Sequence, residues 1–129
     1  LDDSEAVFSE DDLTNVSTRF IMAEFLREKI LELTHDEIPH TVTCYVENYE
    51  EDDKVVHIQV LIVVDRDNIK KIIIGKQGSM LKEIGTRARH DMENFLGKKV
   101  FLETYVKTLK NWRDQERYFV ELGLKDEDE

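Results

Sequence analysis

The sequence predicts a two-layer α+β domain in the order α-β-β-α-α-β-α, with helices covering one face of a three-stranded sheet. Three observations carry this expectation. Two long stretches repeat apolar residues at three- and four-residue steps, as amphipathic helices do. Three shorter stretches alternate apolar and polar residues, as half-buried strands do. Between the second strand and the second long helix stands a pair of glycines three residues apart.

The elements follow in chain order. Residues 1–14, LDDSEAVFSEDDLT, are acidic without a sustained period and read as a linker or tail. From Asn15 to Leu33 the apolar face is Val16, Phe20, Ala23, Leu26, Ile30 and Leu33, with Asn15 or Ser17 as the cap and Pro39 as a stop beyond. Thr41 to Glu47 alternates, with Val42, Cys44 and Val46 on one face. Asn48 to Lys54 reads as an acidic turn. Val55 to Asp65 alternates again through Ile58, Val60, Ile62 and Val64, so the two strands form a hairpin. A brief helix fits Asn68 to Ile74. Ser79 to Leu96 carries Leu81, Ile84, Ala88, Met92 and Phe95 on one stripe, and Gly97 stops it. Lys99 to Thr108 is the third strand, with Val100, Leu102 and Val106 on one face. Asn111 begins a last helix holding Trp112, Phe119 and Leu122, ended by Gly123. The folded unit is therefore 15–123, with an acidic tail at 124–129.

Composition narrows the functions. The 129 residues suit one domain, and no apolar run approaches the roughly 18 to 20 residues that span a bilayer. Leu1 is not a start methionine and no basic-then-apolar leader follows, so a piece of a longer protein without a secretory signal is expected. The single Cys44 can form neither an internal disulfide nor a thiolate cluster and reads as a core residue in a reducing compartment. His35, His40, His57 and His90 lie at no metal spacing. The net charge of −11 argues against nucleic acid, but it is unevenly spread. Arg66 to Arg113 holds 12 Lys/Arg against 5 Asp/Glu, a net of +7, which leaves −18 for the rest. A basic working surface on an acidic body is one explanation, and two ordinary solvated faces are the other.

The glycines decide between them. In IIIGKQGSM, residues 72–80, Gly75 and Gly78 bracket Lys76 and Gln77. A nucleotide phosphate loop, GxxxxGK[ST], would need a glycine where Lys70 stands and Ser or Thr where Gln77 stands. A GxxG between two short helices is instead the KH signature, a loop that clamps single-stranded nucleic acid. Without Cβ atoms Gly75 and Gly78 let a sugar–phosphate chain come close. The helix starting near Ser79 points its free N–H groups at a phosphate. Lys76 adds a charge and Gln77 an amide, while Ser79 reads as the helix cap.

The resemblance extends beyond the loop. GKQGSMLKEIGTRARHDMENFLGKKVFLETYVKTLKNWRD is similar to the C-terminal KH domain of the Era-family GTPases, bacterial ribosome-assembly factors. EDDLTNVSTRFIMAEFLREKILELTHDEIPHTV resembles the linker and first helix of that family. The resemblance implies a type II KH fold, in which the third strand runs parallel to its neighbour in a mixed sheet. It implies single-stranded RNA as partner, at the 3′ end of 16S ribosomal RNA in the small ribosomal subunit. It implies a cytoplasmic monomer, with peripheral attachment of the parent protein to the inner membrane face as an option. By position it gives Ile74, Gly75, Lys76, Gln77, Gly78, Ser79, Met80, Lys82, Ile84 and Arg89 as RNA-binding residues. The family's GTPase domain has no counterpart in these residues, so no catalytic residue and no cofactor are expected here. GTP and magnesium would belong to the absent domain. Phe8-Ser9 and Asn15 depart from the family's usual linker but leave the loop untouched.

Some residues stay open. Arg87 serves either the RNA or an ion pair. Ile74, Met80 and Ile84 either support bases or fill the core. Phe101 and Tyr105 either stack on a base or cover the second side of the sheet. Gly85, inside a helix, suggests a close packing contact. A protein-interaction adaptor using the acidic surface is the alternative to RNA binding. A nucleotide-handling enzyme would need a further domain.

Overall fold

The structure is a computed structural model that describes residues 10–34 and 42–110, with side chains from residue 17. Its elements are α1 (Glu10–Thr34), β1 (Thr43–Glu51), β2 (Val55–Val64), α2 (Asp67–Ile74), a 3-10 turn (Lys76–Gly78), α3 (Ser79–Leu96) and β3 (Lys99–Thr108). The order of the described elements is the expected one. The last helix expected from Asn111, with Trp112, Phe119 and Leu122, lies outside the described residues. So do Pro39, His35, His40 and the 124–129 tail.

β2 is the centre of the sheet. Its Val56, Ile58, Val60, Ile62 and Val64 are 0–1% exposed, as expected of a central strand covered on that face. β1 pairs with it antiparallel and β3 pairs with it parallel. A parallel partner cannot be reached by a tight turn. The chain makes the crossing through α2, the glycine turn and α3, which packs these elements onto the sheet. Met22, Leu26 and Ile30 from α1, Ile69 and Ile73 from α2, and Ile84, Ala88 and Met92 from α3 close the core above β2. Cys44 lies in this core, where burial pushes its thiol well above the ordinary range.

Polar contacts hold the layers in place. Lys29 of α1 pairs with Asp91 of α3 at 3.1 Å, and the Arg27 Nε donates to the Val42 carbonyl at 3.1 Å. The buried Thr34 hydroxyl donates to the Ile30 carbonyl at 2.6 Å, so the last turn of α1 buries no unpaired hydroxyl. In the β1–β2 turn, Asp52 Oδ1 accepts from the backbone N–H of both Lys54 and Val55 at 2.8 Å.

Three expectations need correction. α1 begins at Glu10, so Asn15 and Ser17 lie inside it rather than capping it, and only part of 1–14 precedes the helix. No glycine or proline interrupts 10–15, and acidic residues suit a helix N-terminus. β1 continues to Glu51, past the expected end at Glu47. The register shifts between Val46 and Asn48, and this bulge turns Tyr49 back toward the core. Phe20 is 65% and Phe95 53% exposed, although both sit on the apolar stripes. Phe95 and the half-buried Phe25 meet edge to face at 5.9 Å across the outer seam of α1 and α3. Phe101 and Tyr105 do occupy the second side of the sheet, but both stay half-exposed, with His57 tilted against Phe101 at 5.6 Å. Among the described residues, Tyr45, Leu61 and Val63, with Leu109, form a buried cluster on that side.

Candidate nucleic-acid interface

The chain between α2 and α3 turns within the four residues 75–78, three of which take positive φ. Gly75 stands at φ 76°, ψ −179°, Gln77 at φ 56°, ψ 28°, and Gly78 at φ 79°, ψ 8°. Gly75 ends α2, its N–H donating to the Lys71 carbonyl at 2.8 Å, and its own carbonyl accepts from Gly78 N–H at 3.2 Å. A Cβ on Gly75 would stand 2.5 Å from Met80 Cβ and 2.8 Å from Met80 N, so no other residue fits. Gly78 has nothing within 4 Å of such a Cβ; there the backbone conformation selects glycine. Gln77 holds a left-handed conformation unusual for a residue with a side chain. Strain at a loop tip flanked by glycines marks a place where backbone shape matters.

Lys76 and Gln77 are exposed at the tip. Ser79 is exposed too, but the helix cap is Gly78 and no side chain caps α3. The expected Ser79 cap is therefore absent, which leaves the first N–H groups of an 18-residue helix without a side-chain acceptor. Around the loop, Lys70, Lys71, Lys76 and Lys82 make no ion pair among the described residues. Cations left unpaired on an acidic protein create a local positive field at the loop.

From the loop a groove of about 390 Å³ runs between α3 and β3. Gly78, Leu81, Lys82, Gly85, Thr86 and Arg89 line it from the helix, and Leu102 and Thr104 from the strand. Arg89 is braced at the far end. Its Nη1 donates to Glu93 Oε2 at 3.1 Å, and the same oxygen accepts from Val100 N–H of β3 at 2.9 Å. That backbone hydrogen bond first, and Arg89 after it, hold the Glu93 carboxyl below the ordinary carboxylate range.

The ten residues expected to bind RNA separate into three groups. Gly75, Lys76, Gln77, Gly78 and Ser79 form the loop, and Lys82 and Arg89 flank the groove. Ile74 and Met80 are half-buried beneath the loop, where Met80 packs against the core. Ile84 is 0% exposed and offers a ligand no surface; it faces the core from the helix side opposite Lys82. Arg87 pairs with Glu83 at 2.6 Å one turn away on the exposed face, outside the groove. Thr86, Leu102 and Thr104 were not anticipated. The helical spacing of Lys82, Thr86 and Arg89 could have indicated Thr86, whereas the strand wall depends on β3 lying next to α3.

Among the described residues no His, Cys, Asp or Glu cluster could hold a metal, and no helix is long and apolar enough to cross a membrane.

The KH domain family model matches residues 37–113. GTPase Era of Leuconostoc citreum (strain KM20) is 47% identical over 128 residues, covering 98% of this chain and 42% of that protein. An Aquifex aeolicus Era variant bound to GDP and aluminium fluoride superposes with a TM-score of 0.73 at 40% identity, over 82% of this chain and 36% of that one. A second Era structure, in complex with MgGDPNP and nucleotides 1506–1542 of 16S ribosomal RNA, gives the same TM-score, identity and coverage. The chain thus spans about two fifths of the length of the curated relative it matches.

Proposed function

This chain belongs to the KH domain family, in the Era branch of it, and from that premise we propose that it binds single-stranded RNA at the Gly75–Gly78 loop and the groove beside α3. The observation that carries the reading is the loop itself. Its first glycine tolerates no side chain, its two exposed central residues are a free lysine and an amide, and it opens onto an uncapped helix N-terminus. Together these hold donors and positive charge where a phosphate of a close-lying backbone would sit. The RNA is the 3′ end of 16S ribosomal RNA, and the setting is assembly of the small ribosomal subunit in the cytoplasm. The Era structure solved with 16S nucleotides 1506–1542 supports this choice of RNA. GTP and magnesium are handled by the part of the relatives' length that this chain does not span.

The test is a double variant, Lys76→Asp with Gln77→Asp. Aspartate tolerates the left-handed conformation at position 77, so the fold is preserved while two negative charges face the RNA backbone. Each such contact repels by roughly 1 kcal/mol in partly screened surroundings, and the lysine attraction is lost as well. Binding to a fluorescent RNA copying the 16S 3′ end should weaken by about tenfold or more. A folded double variant that binds as tightly as the wild type would remove the loop from the interface.

A further inference from the structure

We propose that the second side of β3, turned away from α3 and the groove, is a further contact for the same single-stranded RNA. One base stacks on Phe101 and another on Tyr105, with Lys99 and Lys107 on the phosphates at either end. The proposal rests on the RNA-binding reading above and extends the path of the RNA beyond the loop and groove.

β3 alternates, so its two sides carry different residues. Val100, Leu102 and Val106 turn to the core, and Lys99, Phe101, Glu103, Tyr105 and Lys107 turn the other way. The neighbours on β2 agree. His57 lies 5.6 Å from Phe101, the Gln59 amide donates to Glu103 at 2.8 Å, and Leu61 stands opposite Tyr105. Phe101 is 53% and Tyr105 48% exposed, so both rings forgo much of the burial that a core position would give them. Lys99 and Lys107 are exposed, and among the described residues neither makes an ion pair.

Charge and continuity select the occupant. Open aromatic faces between free lysines suit a polyanion with stackable bases better than an apolar peptide. The two rings stand four residues apart, about 13 Å, which separates two bases along the strand. β3 is the edge strand of the sheet, and its Leu102 and Thr104 already line the groove. RNA leaving the groove therefore has only the edge of β3 to round. Glu103 lies between the rings, where its carboxylate repels a phosphate but accepts from the amino group of a base. Bases with an amino group are thus preferred there over uracil. Glu50, exposed opposite His57 on β1, keeps phosphates on the β3 side.

The main test is Phe101→Ala with Tyr105→Ala, a half-exposed pair whose loss should leave the fold intact by melting curve. Binding of the 16S 3′-end RNA should weaken at least tenfold. An RNA of about four nucleotides, the length the loop clamps, should bind as it does to the wild type. Lys99→Ala with Lys107→Ala should flatten the slope of log affinity against log salt by about 1.4, and this reads the surface even if the aromatic pair is needed for folding. Photocrosslinked long RNA should be found on the peptide that carries Phe101 and Tyr105. Wild-type affinity for both RNAs in the folded aromatic variant would overturn the proposal and leave the patch to a protein partner. So would equal losses on both RNAs, or an unchanged salt slope in the lysine variant. If Lys76→Asp with Gln77→Asp still loses binding in those cases, the RNA-binding reading stands. A wild type that binds no RNA overturns both.

Discussion

Gly75 and Gly78 are the same residue type kept for different reasons. At Gly75 both the conformation, φ 76° with ψ −179°, and the 2.5 Å approach to Met80 Cβ exclude a side chain. Gly75→Ala should cost about 2–4 kcal/mol, combining backbone strain with overpacking. At Gly78 only the left-handed conformation opposes a Cβ, so Gly78→Ala should cost about 1–2 kcal/mol. Urea denaturation of the two variants measures both values. Equal costs would show that contact with Met80 does not constrain the loop. Gln77, already left-handed, accepts that cost at the tip, where its amide is exposed.

At the scale of elements, Glu93 fastens α3 to β3 and so sets the width of the groove. One carboxylate oxygen accepts from the Val100 N–H on the strand and from Arg89 on the helix. Glu93→Gln keeps an acceptor for the strand but loses the charge, and should cost about 1 kcal/mol at neutral pH. The folded-state pKa lies below the ordinary value of 4.5. The contribution of this carboxylate is thus fully present above that value and lost as pH falls below it through the lowered folded pKa. The stability gap between wild type and Glu93→Gln should be constant from neutrality to about pH 5 and close on further acidification. Chemical denaturation at stepped pH reads this directly. A gap that persisted unchanged to low pH would mean that the charge on Glu93 contributes nothing.

For the molecule as a whole the question is how a chain of net charge −11 attracts a polyanion. The answer lies in distribution. Lysines 70, 71, 76 and 82 lie on or beside one loop and make no ion pair among the described residues, while Glu83 and Asp91 on α3 are engaged by Arg87 and Lys29. With a Debye length of about 8 Å in physiological salt, exposed charges farther away are largely screened. If three or four phosphates are neutralised, log affinity should fall with log salt at a slope of about −2 to −3. Raising salt from about 50 to 200 mM should then weaken binding by about 15- to 60-fold. Anisotropy titrations across that range measure the slope. A salt-independent affinity would show that phosphate contacts do not hold the RNA.

What the sequence determined by itself is what local backbone geometry enforces. Helical and strand periods were legible because each depends on neighbours within a few residues. The loop was legible because left-handed turns select glycine. Where a local irregularity broke the period, reading failed: the bulge at β1 reverses which side faces inward after Val46, so the strand outran its expected end. The tertiary structure decided which apolar residues face the core. Phe20 lies nearly opposite Met22 on α1, and only the position of the sheet leaves the phenylalanine outside and buries the methionine. It also decided that Ile84 is core while Lys82, two residues earlier, flanks the groove. Most of all it decided the second wall. Leu102 and Thr104 reach the groove because β3 pairs with β2 in parallel, after a crossing that brings strand and helix side by side. A groove between two elements is a property of their packing, and no periodicity within either one contains it.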